Sequence, residues 1–180
     1  MASVAVCDRR LPRLGRIQHI EMIERLAMPN PFDTRAPRAT DIAALAAIAD
    51  ETLFPGEMMA DMIAPALDGS GDDVWRVVTQ GDLPVGFAFA QPEAMTDRTW
   101  NLRAIAVAPA LHGSGAGTAL LTAMEAALTT ARLIVIDTTQ RAEQDRARKF
   151  YVARGYGQVS VIPAFFGPEE DKVTFVKSLG

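Results

Sequence analysis

The 180-residue chain has one cysteine, Cys7, and two histidines, His19 and His112. A lone cysteine excludes an intrachain disulfide and a cysteine metal cluster. Two histidines are too few for a histidine-rich zinc site, so no metal is expected. Neither histidine stands near a nucleophile-elbow sequence, which removes local support for a serine triad. No apolar run reaches about 18 residues, so no membrane span and no membrane partner are expected. The N-terminus lacks the apolar core of a signal peptide, and a cytoplasmic chain is the expectation. Positive charge is not in excess: 18 Lys and Arg stand against 22 Asp and Glu, a net charge of -4. That disfavours a nucleic-acid partner, because phosphate-binding domains are usually basic.

What is present is a globular composition, 49% apolar and 22% charged, which separates the chain from disordered sequences. Its length suits one ordinary domain. Residues 1–31 read apart from the rest. Arg9, Arg10, Arg13 and Arg16 cluster there, and Met28-Pro29-Asn30-Pro31 closes the segment. A short amphipathic helix is predicted over residues 17–27, with Ile20, Ile23 and Leu26 on one side. Residues 1–31 are expected to be an N-terminal extension, helical or frayed, and residues 32–180 the domain.

From Phe32 the pattern becomes regular. A short strand is predicted over residues 32–35. Thr40-Asp41 offers a helix cap ahead of Ile42, Leu45, Ile48 and Ala49. Gly56-Glu57 opens a second helix in which Met58, Met59, Met62 and Ile63 read as core or pocket lining. Residues 74–79 and 85–90 read as a hairpin, and residues 99–107 as a third strand. Trp75 and Trp100 read as packing residues. A helix over residues 115–131 follows, then a strand over 133–139 and a helix over 143–154 that Gly155 is placed to end. Strands over residues 158–162 and 172–179 close the chain. The loop predicted between them, residues 163–171, carries Phe165, Phe166 and a solvated acidic run. This order points to an α/β chain with one mixed sheet and helices on its faces.

The chemistry-bearing segment is Ile105-Ala106-Val107-Ala108-Pro109-Ala110-Leu111-His112-Gly113-Ser114-Gly115-Ala116-Gly117-Thr118. A strand enters a loop of alternating glycines, and the loop enters a helix. Backbone N–H groups at a helix N-terminus bind anionic phosphates, and glycine lets the phosphate approach. A Walker loop is excluded, since no lysine follows these glycines. The spacing Gly113-x-Gly115-x-Gly117 also fails the dinucleotide fingerprint at its third glycine.

His112-Gly113-Ser114-Gly115-Ala116-Gly117 resembles the acetyl-coenzyme A loop of the GNAT N-acetyltransferase superfamily, with His where Gln or Arg is usual. Arg146-Ala147-Arg148-Lys149-Phe150-Tyr151-Val152-Ala153-Arg154-Gly155-Tyr156 resembles the family's late helix. Both motifs stand in the family's order with one strand between them, and the resemblance covers about residues 32–180. It implies a single mixed sheet, mostly antiparallel, with a splayed parallel strand pair. It also implies acetyl transfer from acetyl-coenzyme A to a primary amine by direct attack.

Residue by residue, the resemblance implies that the backbone of Ile105-Ala106-Val107 holds the acetyl carbonyl and the pantetheine. The amides from His112 to Thr118 would hold the pyrophosphate. Tyr151 would stand near the sulfur and protonate the leaving thiolate; a core aromatic is the other reading of this residue. Some members carry a Glu base where this chain has Asn101, which cannot be one. Asp137, on the next strand, is the alternative base, and a water chain held by Asn101 is a third. A homodimer is compatible with the pattern. A catalytically silent acyl-coenzyme A-binding module stays open beside the enzyme, and the acceptor is unspecified.

Overall fold

The computed structural model describes residues 31–179. The helix expected over residues 17–27 lies outside the described residues. The elements are β1 (Asp33–Arg35), α1 (Ile42–Thr52), α2 (Met59–Asp68), β2 (Val74–Gln80), β3 (Leu83–Pro92), β4 (Thr99–Val107), α3 (Ala116–Ala127), β5 (Leu133–Thr139), α4 (Asp145–Ala153), β6 (Gly157–Gly167) and β7 (Glu170–Ser178). The strands form one sheet in the order β1-β2-β3-β4-β5-β7-β6. All neighbours are antiparallel except β4 and β5.

The two sheet faces carry separate apolar layers. Leu45, Ile48 and Ala49 of α1 and Met59 and Ile63 of α2 pack with Trp75, Phe87 and Phe89. On the other face Leu120, Leu121 and Met124 of α3 and Tyr151 of α4 pack with Leu102, Ile134, Ile136 and Phe175. Two-residue alternation along the strands sends successive side chains to opposite layers. Trp75 is a packing residue as expected, its ring stacked 4.5 Å from that of Phe89. Trp100 packs on the α3 layer.

Several boundaries moved, each for a local reason. Asp41 does not cap α1 directly. Its carboxylate accepts from the Arg38 N–H at 2.7 Å and pairs with Arg35, capping a 3-10 turn that precedes the helix. The second helix likewise starts late, at Met59 after a 3-10 turn, which leaves Met58 exposed and not in the core. Helix α3 ends early, where Leu128 leaves helical geometry at ψ 51°.

The largest difference is at the C-terminus. The predicted loop over residues 163–171 is mostly strand, with β6 running on to Gly167. Ile162 pairs with Lys172 and Gly167 with Glu170, so four residues of β6 face a single one of β7. This wide bulge pushes Phe165 and Phe166 outward. The acidic run is not simply solvated: Glu170 pairs with Arg141, and Asp171 accepts from the Ala164 N–H. Pro163 and the nearby glycines look like loop punctuation, and only the pairing with β7 overrides them.

Candidate active site

β4 and β5 share three rungs, Thr99 with Leu133, Trp100 with Ile134 and Asn101 with Val135, and then separate. The splay begins with a bulge: Ala90 faces Leu102 and Phe89 faces Ala104, so Arg103 is the extra residue and turns to solvent. Ala108 donates its N–H to Val85 of β3 at 2.9 Å. Backbone groups alternate sides along a strand, so Ile105 and Val107 point theirs toward the gap, where β5 no longer meets them.

That gap opens into a cleft of about 530 Å³. Ile105, Ala106, Val107, His112, Gly113, Gly115, Gly117, Thr118 and Tyr151 all line it. Nine of the residues singled out in the sequence therefore meet in one place. Ser114 and Ala116 are not among the lining residues. The Ser114 hydroxyl donates to the Leu111 carbonyl at 2.6 Å, and Ala116 is buried under the helix start.

The glycine loop is shaped by backbone conformation. Gly113 and Gly115 sit at φ 82° and 103°, in the left-handed region that other residues avoid. Gly115 is the N-cap of α3, and the N–H groups of Gly117 and Thr118 follow in its first turn. These lie at the positive end of the helix dipole. His112 Nε2 donates to the Val107 carbonyl at 2.9 Å. A carbonyl only accepts, so Nε2 carries the proton in that bond. The departure from Gln or Arg thus has a structural use: it ties the loop back to β4.

Tyr151 is 7% exposed and packs against Tyr156, Phe175 and Phe150. Burial pushes its phenol up to about 12. Tyr151 lines the cleft, and among the described residues the one fully buried side-chain polar atom without a partner is Trp75 Nε1, not the Tyr151 hydroxyl. Tyr156 behaves otherwise. Its hydroxyl donates to Glu125 at 2.9 Å, and burial and that carboxylate raise its pKa further.

Sequence reasoning missed part of one wall. Glu143, Ala147 and Phe150 line the cleft beside Tyr151 at helical spacing, and Arg146 reaches the loop, its Nη2 3.5 Å from where a Cβ on Gly113 would stand. The i, i+4, i+7, i+8 spacing was legible; that its polar members face the glycine loop was not. Glu51, Thr52 and Leu53 close the cleft from the end of α1.

The two base candidates lie elsewhere. Asn101 and Asp137 are absent from the lining. Asn101 is 4% exposed and donates to Glu93 Oε1 at 2.7 Å. Asp137 accepts from Thr174 Oγ1 at 2.7 Å and pairs with Lys172 at 3.4 Å. Among the described residues no group of three or more His, Cys, Asp or Glu is placed to hold a metal, and no helix is long and apolar enough to cross a membrane.

A mixed sheet with a splayed parallel pair, entered by a glycine loop and a helix N-terminus, defines the GNAT fold. Residues 70–158 match the acetyltransferase (GNAT) domain family, and the chain has the GNAT fold. Among solved structures it is similar to a GNAT-family protein from Desulfovibrio desulfuricans. That pair is 24% identical over 83% of this chain and 98% of the other, with a TM-score of 0.73. It is also similar to an aminoglycoside 6'-N-acetyltransferase complexed with coenzyme A, at 16% identity, 81% and 96% coverage and a TM-score of 0.70. The ribosomal-protein-S18-alanine N-acetyltransferase from Escherichia coli is similar at 20% identity, 83% and 94% coverage and a TM-score of 0.66. No match to a curated protein was found by sequence.

Proposed function

We propose that this chain moves an acetyl group from acetyl-coenzyme A to a primary amine by direct attack, without a covalent enzyme intermediate. The observation that carries the reading is one cleft in which freed strand backbone, an open helix N-terminus and a phenol meet. Acetyl-coenzyme A fits these residues: N–H groups suit its pyrophosphate, the β4 backbone that β5 leaves unpaired, apart from the Val107 carbonyl that His112 holds, suits its amide-bearing arm, and a hydroxyl suits its sulfur. When bound, it supplies an activated acyl group.

The chain's residues divide the remaining work. Ile105, Ala106 and Val107 orient the arm, and the loop from His112 to Thr118 holds the phosphates. Arg146, which no carboxylate pairs among the described residues, adds positive charge there. Tyr151 donates to the sulfur. Asp137 is the weaker proton acceptor, since Thr174 and Lys172 already hold it, and Asn101 has only a positioning role. The acceptor is a small-molecule or peptide amine. The reading includes a cytoplasmic setting, no nucleic-acid or membrane partner, and a domain spanning residues 32–180 behind an N-terminal extension.

The test is acetyl-coenzyme A turnover, followed by thiol release, against a panel holding a linear polyamine, an aminoglycoside, an amino acid and a peptide with a free N-terminal alanine. Amine-dependent thiol release is the expected result. Tight acetyl-coenzyme A binding with no turnover of any amine would favour a silent binding module instead. Two features lean that way: Asn101 is an amide and cannot serve as a base, and Asp137 is engaged.

A further inference from the structure

A primary amine is an ammonium near neutral pH and must lose a proton before it can attack a thioester. A proton acceptor near the point where β4 and β5 part stands beside the gap, outside the residues that line the cleft. That point is the rung of Asn101 and Val135. Asn101 is buried there, and a buried amide needs partners. It donates its Nδ2 proton to Glu93 Oε1 at 2.7 Å. Glu93 follows directly after β3, and its own N–H donates to the Thr99 carbonyl at 2.8 Å. The carboxylate is thus held beside the apex of the splay by a residue of β4.

The other carboxylates nearby are engaged or solvated. Gln91 pairs with Asn101 and Asn101 with Val135, so all three share a sheet face, and alternation adds Asp137 to it. Asp137 is bonded to Thr174 and Lys172, and Asp73 accepts from Gln91 Nε2 at 2.9 Å. Glu51 and Glu143 line the cleft but are exposed. Glu93 is half-buried, and among the described residues no cation pairs with it. A fixed carboxylate with only a neutral donor is suited both to attract an ammonium and to take its proton.

We propose that Glu93 is the carboxylate that deprotonates the acceptor ammonium, that Asn101 is its positioning residue, and that the acceptor class is an alkyl amine protonated at neutral pH. The proposal rests on the acetyl-transfer reading. One N–H bond of the ammonium breaks and its proton goes to Glu93. The freed nitrogen pair forms the C–N bond, and the C–S bond breaks with its electron pair on sulfur. A second proton leaves the nitrogen to solvent, and the sulfur takes one up. Glu93 then releases its proton, so each ammonium yields one amide, one thiol and one proton.

The experiment measures kcat/KM between pH 6 and 9.5 for wild type, E93Q, E93D, N101A and E51Q, using whichever amine of the panel the wild type acetylates. E93Q keeps an oxygen for the Asn101 bond, so acetyl-coenzyme A affinity and Tm should match wild type. The expected result is a loss of at least about 10-fold in E93Q at pH 7, narrowing as the pH approaches the amine's own pKa. E93D should recover part of that loss, and N101A should show a smaller loss of the same pH shape. E93Q within about 2-fold of wild type at every pH, on a scale where a general base gives about 10²–10⁴, would overturn the assignment and leave acetyl transfer standing. So would a loss confined to E51Q. A wild-type chain that binds acetyl-coenzyme A but acetylates no amine would bring down both readings together.

Discussion

Tyr151→Phe removes one oxygen from a wall of the cleft and leaves the ring among Phe150, Tyr156 and Phe175. No protein group is hydrogen-bonded to that oxygen among the described residues, so folding stability should change by less than about 1 kcal/mol, the scale of a typical hydrogen bond. Burial holds the phenol at about 12. A thiol titrates near about 8.5, so full proton transfer from this phenol to a free thiolate is uphill by roughly 3.5 units, or about 5 kcal/mol. Tyr151 therefore acts best as a hydrogen-bond donor to the developing thiolate, with solvent completing the protonation. A hydrogen bond to a charged group is worth about 1.5–3 kcal/mol, which sets the expected loss in kcat at roughly 10- to 100-fold. A phenol this weakly acidic stays protonated across the neutral range, so the loss should be the same factor from pH 6 to 9. The assay is thiol release at saturating acetyl-coenzyme A, with single-turnover kinetics confirming that chemistry limits the rate. Unchanged kcat in Tyr151→Phe would reduce Tyr151 to a core aromatic. A loss that fades as pH rises within that window would refute the raised pKa.

Three further outcomes follow from named contacts. The atoms nearest to a Cβ on Gly117 would be the Phe150 ring at 3.8–3.9 Å and Val107 at 3.9 Å, ordinary distances. Gly117→Val should therefore spare the fold while weakening acetyl-coenzyme A by about 2 kcal/mol in calorimetry, the scale of a charge-assisted contact; equal affinity would take the loop out of the phosphate site. Asp41 is 3% exposed, and the Arg35 hydrogen bond holds its carboxyl below the usual range. Asp41→Asn should cost about 2 kcal/mol in urea melts at pH 7, between a surface and a fully buried pair. A depressed folded pKa gives stability that is present above the unfolded value of about 3.9 and is lost as pH falls through the folded one, so the gap between wild type and variant should close below about pH 4. A gap that stays constant on acidification would show that the ion pair is not the source. Finally, a chain starting at Met28 should keep its melting temperature and turnover; loss of either would show that the residues before it belong to the folded unit.

The sequence by itself determined the elements whose signal is local. The strand over residues 99–107 and the one over 133–139 are bounded as their apolar patterns predict. The turn from β4 into α3 followed from glycines that take left-handed backbone at Gly113 and Gly115. Gly155, at φ 86°, ends the last helical turn as its type suggests. Nine of the cleft residues were legible for the same reason: loop, strand and helix face are each short stretches with their own period.

What tertiary structure alone decided are the relations between distant strands. The continuation of β6 through residues 163–167 depends on β7 supplying hydrogen bonds that no local propensity encodes. Asp137 read as a free carboxylate at a strand end, but its pairing with Thr174 of β7 occupies it. Glu93 gave no signal at all, because a glutamate after a strand is ordinary. Asn101 stands eight positions further along the chain, and only the antiparallel return of β4 along β3 brings the two to 2.7 Å. Side-chain pairing across a sheet is set by register, and register belongs to the assembled sheet and to no single strand within it.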